Sequence, residues 1–225
     1  MTPGKRALDL GLAGLLALVL ALPLAALMGL LWARQGRPVL HGSERMQTPA
    51  RVFTLWKLRT MRPDPGDTGV SGGDKADRIT PLGHVLRRTR GDELPQLFNI
   101  LRGDISFVGP RPPLRLYVER FPDLYARVLR ARPGVTGLAT LVFHAREEAL
   151  LAGCATPEET DRVYARRCVP RKARLDLIYQ RRRSLGLDLW LIWLTLARAA
   201  GLIPRSGRLP RGPGRPFRRA HTRVD

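Results

Sequence analysis

"ITPLGHVLRRTRGDELPQLFNILRGDISFVGPRPP", residues 79–113, sets Asp92 and Glu93 side by side in a chain with 39 Lys+Arg against 19 Asp+Glu. Adjacent carboxylates repel and need solvent or a cation, and arginines flank this pair on both sides. Leu94, Leu97, Phe98 and Leu101 recur at helical spacing, so the pattern predicts a helix from about Glu93 to Arg102. Pro95 fits only in its first turn, and Gly103 is a natural stop. The acids then sit at a helix N-terminus, where unpaired amides and the dipole favour negative charge. Acids at that position are common in ordinary helices, so the pair alone does not establish chemistry. A second signal follows: "SFVGPRPP" (106–113) holds Arg111 between prolines. An arginine on so stiff a backbone loses little freedom when it grips a phosphate. Upstream, Thr80 and Pro81 form a cap for a short helix, with Leu82, Val85 and Leu86 on one face and Arg87, Arg88 and Arg90 after them.

Working outward toward the N-terminus, residues 10–32 carry no charge and are long enough to cross a bilayer, which needs about 20 apolar residues. Pro23 lies in the middle and should kink a helix there. Both flanks are basic, with Lys5 and Arg6 before and Arg34, Arg37, Arg45 and Arg51 after, which favours keeping both ends in the cytoplasm. A helix that enters one leaflet and returns fits these features, and so does a single kinked span. A salt bridge from Asp9 to Lys5 or Arg6, one turn away, would ease its desolvation.

The formal charge of +20 points to an anionic partner: nucleic acid, anionic membrane or phosphorylated substrate. Cys154 and Cys168 are too few for a disulfide framework and read as packing residues in a reducing compartment. "VFTLWKLRTM" (52–61) begins as a strand and ends in the basic cluster Lys57, Arg59 and Arg62. Residues 63–78 form a loop whose "GVSGGDK" lacks the Gly-Lys-Ser/Thr ending of a phosphate-binding loop. "RPGVTGLATLVFHAREEALLAG" (132–153) reads as a turn followed by an apolar strand. Helices are expected from Thr156 and across 172–186, where Leu175, Ile178 and Tyr179 share a side. The apolar run 187–203, with Trp190 and Trp193, suits either an interfacial helix or a buried one. Residues 204–225, rich in Arg, Pro and Gly, have little to bury and read as a disordered tail, either solvated or lying on anionic lipid.

Taken together, these motifs resemble the bacterial sugar transferases of the monotopic phosphoglycosyl transferase type. The resemblance runs over about residues 5–200. It rests on Lys5-Arg6 and Asp9 before the anchor, Pro23 within it, "RPVLHGSER", "FTLWKLRTM", the whole 79–113 block, "RPGVTGLA", and the ending "LDLIY…SLGLDLWLIWLT". It implies an α+β, mostly helical fold. Residues 1–36 would be a re-entrant membrane helix broken near Pro23, and residues 37–203 a cytosolic catalytic domain. That domain would hold a short β element and interfacial amphipathic helices, with the tail beyond it. Two departures stand out: Leu22 where the family often has Ser before the breaking proline, and "GLATLVFHAREEALLAG" where many members have Gly-Trp-Ala-Gln and an Asn-Gly-Arg stretch. The multi-span domain that precedes the core in larger members is not expected here.

The resemblance also implies a reaction. Asp92 would attack the sugar-proximal phosphate of a UDP-sugar and release UMP, and polyprenyl (undecaprenyl) phosphate would then collect the phosphosugar. Mg²⁺ is the expected cofactor, held by Glu93 and Asp92, with Glu93 also able to handle protons. Arg87 and Arg111 would bind phosphate or uridine, Asp176 would lie near the site, and Lys57 and Arg59 would contribute a basic strand end. Elementary chemistry agrees, because an anion approaching an anionic diphosphate needs cations to offset the repulsion. The expected place is the cytoplasmic face of the bacterial inner membrane, among its lipids, with a homodimer left open. A membrane-tethered adaptor with a basic surface is the rival reading. With four Tyr and six Phe and no basic–aromatic interleaving, nucleic acid is not an expected partner. His41, His84, His144 and His221 are too scattered for a zinc hydrolase.

Overall fold

A computed structural model describes residues 1–64 and 73–204. The tail expectation, but for Pro204, and the middle of the 63–78 loop lie outside the described residues.

The apolar N-terminal run forms one helix, α1 (Pro3–Gln35), capped by the Thr2 side chain, with Pro23 inside it. Its outer faces stay bare: Leu18 and Leu22 are about four-fifths exposed, as expected for a surface that meets lipid rather than protein. Its two ends are not bare. Ala13 packs with Phe53, Leu55, Ile100 and Ile105, and Leu31 packs with Leu58 and Leu86. The polar residues of the first turns are spent on the body of the protein. Lys5 Nζ lies 2.6 Å from Asp188 Oδ2. Arg6 donates to the Ile100 and Leu101 carbonyls. Asp9 accepts from Ser106 Oγ and the Phe107 amide. The expected Asp9–Lys5 or Asp9–Arg6 bridge is therefore replaced by longer-range partners, because α1 packs on the body and turns each of these side chains toward it; Asp9 Oδ2 is left buried without a hydrogen bond.

Strands β1 (Leu40–Thr48) and β2 (Arg51–Leu58) pair antiparallel, confirming the strand read at residue 52. After them come α2 (Pro81–Thr89), capped by Thr80 as expected, and α3 (Gln96–Arg102), ended by Gly103 at φ 89°. Strand β3 (Ser106–Val108) is followed by α4 (Arg115–Arg120) and α5 (Pro122–Val128). Strand β4 (Gly134–Thr136) then runs parallel to β3. This joint explains the glycines of both motifs. A Cβ on Gly109 would stand 2.1 Å from the Arg132 carbonyl oxygen, and one on Gly134 would stand 2.2 Å from the Gly109 nitrogen.

The run after β4 is a helix, α6 (Leu138–Ala152), not the expected strand. Its apolar residues do not alternate, and "AREEALLA" is made of strong helix formers. Helix α7 (Pro157–Val163) starts at the Thr156 cap and passes through a π-turn at 164–168 into α8 (Val169–Arg182). Helix α9 (Leu185–Ala199) answers both readings of its sequence. Leu187, Leu191 and Leu194 are buried, while Leu189, Trp193 and Leu196 are exposed. The whole is mostly helical, with two two-stranded sheets and an N-terminal apolar helix compatible with membrane anchoring.

Candidate active site

The acids sit where α2 turns into α3. The C-cap of α2 is Arg90, at φ 59° and ψ 19°, a left-handed conformation unusual for a side chain larger than Asn. It redirects the chain into a short 3₁₀ turn, Gly91–Glu93, so the acids occupy this turn, and α3 begins three residues later than expected. Pro95, which gives no amide, stands between the turn and α3.

The two carboxylates have opposite surroundings. Glu93 is enclosed by cations: Arg90 Nη2 at 2.6 Å, Arg111 Nη1 at 3.4 Å and Lys57 Nζ at 3.6 Å. Burial opposes its ionisation, yet Arg90, Lys57 and Arg111 together hold it well below the usual carboxylate range. Asp92 is 7% exposed, and among the described residues its carboxylate has no hydrogen bond and no ion pair. Burial pushes its pKa up, against the pull of Lys57, with Glu93 adding to the rise and Arg87 and Arg111 opposing it. Lys57 is pushed down to about 8 by burial and by Arg111, with Glu93 and Asp92 pulling the other way.

Of the residues expected from sequence, the fold thus brings Lys57, Arg111, Asp92 and Glu93 together. Arg87 stands beside them, its Nε donating to Thr60 Oγ1 at 2.9 Å. Arg59 does not join them. Its guanidinium turns to the C-terminal end of α1, donating to the carbonyls of Gln35, Gly36 and Arg37. Strand β2 ends at Leu58, so Arg59 lies beyond it, at the junction with the end of α1 rather than on the strand face that carries Lys57. Asp176 is buried on α8 and forms no hydrogen bond with the acid pair; one of its oxygens has no partner, and burial pushes it up to about 7 despite Lys172.

Two contributors escape the sequence reading. Arg90 grips Glu93 through both Nε and Nη2 and also donates to the Val135 carbonyl, tying the acids to β4. Its i,i+3 spacing from Glu93 was the available signal. Arg45 of β1 is half-buried without a hydrogen bond or ion pair among the described residues, and burial and Arg111 push it down to about 10. Nothing local in the sequence marks it.

The donor set also bears on Mg²⁺. Among the described residues no cluster of three or more His, Cys, Asp or Glu is present. Mg²⁺ commonly takes one or two carboxylates and fills its shell with water and substrate phosphate oxygens, so an acid pair suffices. Asp92 offers unbonded oxygens, whereas Glu93 would have to give up a cation. The residues fit, with Asp92 the more open ligand.

A bare carboxylate among cations, in a chain with an apolar helix compatible with membrane anchoring, is a candidate site for group transfer. The bacterial sugar transferase family profile matches residues 2–201, so the chain belongs to that family. It is 32% identical over 199 residues to the UDP-N-acetylgalactosamine-undecaprenyl-phosphate N-acetylgalactosaminephosphotransferase of Aeromonas hydrophila, covering 85% of this chain and 42% of that one. It is 44% identical over 143 residues to the UDP-glucose:undecaprenyl-phosphate glucose-1-phosphate transferase of Caulobacter vibrioides, covering 60% of this chain and 52% of the relative. A 41% identical stretch of 121 residues matches a putative undecaprenyl-phosphate N-acetylgalactosaminyl 1-phosphate transferase of Bacillus subtilis, covering 53% of this chain and 67% of the relative. Two of these names carry N-acetylgalactosamine and one carries glucose, so the relatives agree on the lipid phosphate in their names and not on the sugar.

Proposed function

We propose that this protein transfers a sugar-1-phosphate from a UDP-sugar to undecaprenyl phosphate through Asp92. One observation carries the reading: Asp92 is a buried carboxylate with no bonded partner, surrounded by cations whose direct ion pairs go to Glu93 instead. An Asp92 oxygen attacks the sugar-proximal phosphorus, and the bond to the UMP oxygen breaks with its electrons leaving on UMP. A phosphate oxygen of the lipid then attacks the same phosphorus and returns Asp92 as a carboxylate. Lys57, Arg87 and Arg111 hold the phosphate oxygens and offset the repulsion between attacking and attacked anions. Glu93, kept ionised by its cations, positions Arg90, Lys57 and Arg111 rather than carrying protons. Mg²⁺ held by Asp92 and Glu93 would supply further charge neutralisation on the diphosphate.

The reading includes a monotopic placement, with both ends of α1 on the cytoplasmic face of the inner membrane. What supports it is that Lys5, Arg6 and Asp9 at one end of α1, and Gln35–Arg37 at the other, are bonded to the same body of the protein. A reporter fused to the N-terminus should label from the cytoplasm; periplasmic labelling refutes the placement.

The decisive assay is nucleotide release by the purified full chain in detergent, with Mg²⁺, undecaprenyl phosphate and a panel of UDP-sugars. UMP from one donor is the expected result and names the sugar. UDP in its place means ordinary glycosyl transfer and removes Asp92 as nucleophile.

A further inference from the structure

Asn99 lies on α3, six residues after Glu93, and is buried. Its side-chain amide is fully engaged. Oδ1 accepts from the Trp56 amide at 3.1 Å, and Nδ2 donates to the Thr54 carbonyl at 2.8 Å and to Asp104 Oδ2 at 3.0 Å. The partners fix which end of the amide points where, because a backbone N–H can only donate and a carbonyl or carboxylate oxygen only accepts. Asp104 is buried too, so turning the amide over would set an oxygen against a carboxylate. Strand β2 has β1 on one side only in its two-stranded sheet, and Asn99 takes the place of a strand on the other, bonding the groups on either side of Leu55. One side chain thus joins the helix that follows the acids to the strand that carries Lys57.

The joint sets facing as well as distance. Phe53, Leu55 and Lys57 alternate along β2 and share a face. Phe53 and Leu55 are buried with Ile100, the residue after Asn99, and Ile105. Lys57 continues that face and ends 3.6 Å from Glu93. A slip of one residue in how β2 meets α3 would turn Lys57 to the opposite face. Gln47 of β1 supports the same seat, its Nε2 donating to the Gly103 and Asp104 carbonyls at 3.2 and 2.9 Å. Among the described residues Asn99 bonds to neither acid, so any part it has in the chemistry runs through Lys57.

We propose that Asn99 is the positioning residue for Lys57: its amide clamps the open edge of β2 onto α3 and so holds the Lys57 ammonium against the acid pair. The proposal rests on the transfer reaction above, in which Lys57 holds phosphate oxygens, and adds what keeps that group in place.

Competitive labelling with acetic anhydride, read by mass spectrometry on the full chain in detergent, gives the Lys57 pKa without any substrate. In the native chain it should lie at about 8. Burial is the largest cause of that low value, so Asn99→Ala, which releases the β2 edge, should let it rise toward the ordinary lysine value of about 10. The alkaline limb of the pH–rate profile should rise with it, and kcat should fall roughly 10²-fold, the order for a misplaced group. Asn99→Asp keeps the side-chain shape and the acceptor for Trp56 but loses the donors, and it carries the same measurement if the alanine chain does not fold. Lys5→Met loosens the joint with α1 instead and should leave Lys57 where it is in the native chain. A Lys57 pKa that does not move in a chain destabilised by Asn99→Ala overturns the proposal and makes Asn99 a stabilising residue only. An equal rise in Lys5→Met overturns it too, because any loosening of the chain would then suffice. The two readings fail separately. UMP release by a native chain whose Lys57 pKa ignores Asn99 keeps the transfer and removes the clamp. An Asn99-dependent Lys57 pKa in a chain that releases no UMP keeps the clamp and removes the transfer.

Discussion

Two of the regions in which this protein buries charged groups treat them differently. At the junction between α1 and the body, the Lys5 ammonium meets Asp188, and Asp188 takes a second hydrogen bond from Tyr179 Oη at 2.6 Å. At the acid pair, Glu93 has three cations and Asp92 has no bonded partner. A buried charge with matched partners holds a structure together; one left without partners costs stability and is kept where chemistry needs it. The same residue types therefore serve as a joint in one place and as a reactive group in the other.

That contrast breaks most directly at Asp92. Asp92→Asn should lower turnover by about 10⁴-fold, the order expected for loss of a nucleophile. It should leave the unfolding temperature unchanged or raised, because burial already disfavours the charged form. A matching loss of stability would make Asp92 a structural residue and erase the contrast. Lys5→Met probes the joint. It strands Asp188 in a buried site and should destabilise the chain by about 3 kcal/mol. Thermal unfolding in detergent checks this, and Lys5→Met combined with Asp188→Leu should recover most of the loss.

Glu93→Gln lies between the two regimes and sharpens the comparison. It should cost about 10²-fold in turnover, by loosening the groups that hold the phosphates, and should also lower the unfolding temperature. Glu93 raises the Lys57 pKa, so its neutralisation should move the alkaline limb of the pH–rate profile, set near 8 in the native chain, to lower pH. An unmoved limb would separate Lys57 from the reaction. The smallest effect is expected at Asp176, whose folded pKa is raised to about 7 from an ordinary value near 4. The folded state holds that proton longer, so the native chain loses stability as pH rises from about 4 to about 7. Asparagine cannot ionise, so the advantage in unfolding temperature of Asp176→Asn over the native chain should grow between pH 5 and pH 8. A growth of roughly 3 °C is expected; no growth would mean that Asp176 is not held protonated.

The positions of the acids along the chain were legible because local rules dictate them: the Thr80-Pro81 start, the Gly103 stop and the apolar spacing between them. In the 132–153 run the apolar stretch that follows Gly134 suggests a strand, but the absence of alternation and the helix formers of "AREEALLA" already favour the helix that the contacts of α6 with α8 and α9 complete. Arg59 is expected at the site from the resemblance, which pairs it with Lys57 as a basic strand end. Its capping of α1 depends on where a helix 24 residues earlier in the chain ends, which no local pattern contains.

By itself the sequence determined the apolar N-terminal helix, the caps, the motif glycines, the acid pair and the family, because each depends on neighbours a few residues away or on residue type. The tertiary structure alone decided which acid stays bare and which is paired. Beyond Arg90, three residues away, that difference rests on Lys57 and Arg111, brought from 36 residues before and 18 residues after Glu93. Charge pairing over such separations is fixed by packing, through the β3–β4 joint that turns Arg111 inward and the β1–β2 ribbon that carries Lys57 to the same point.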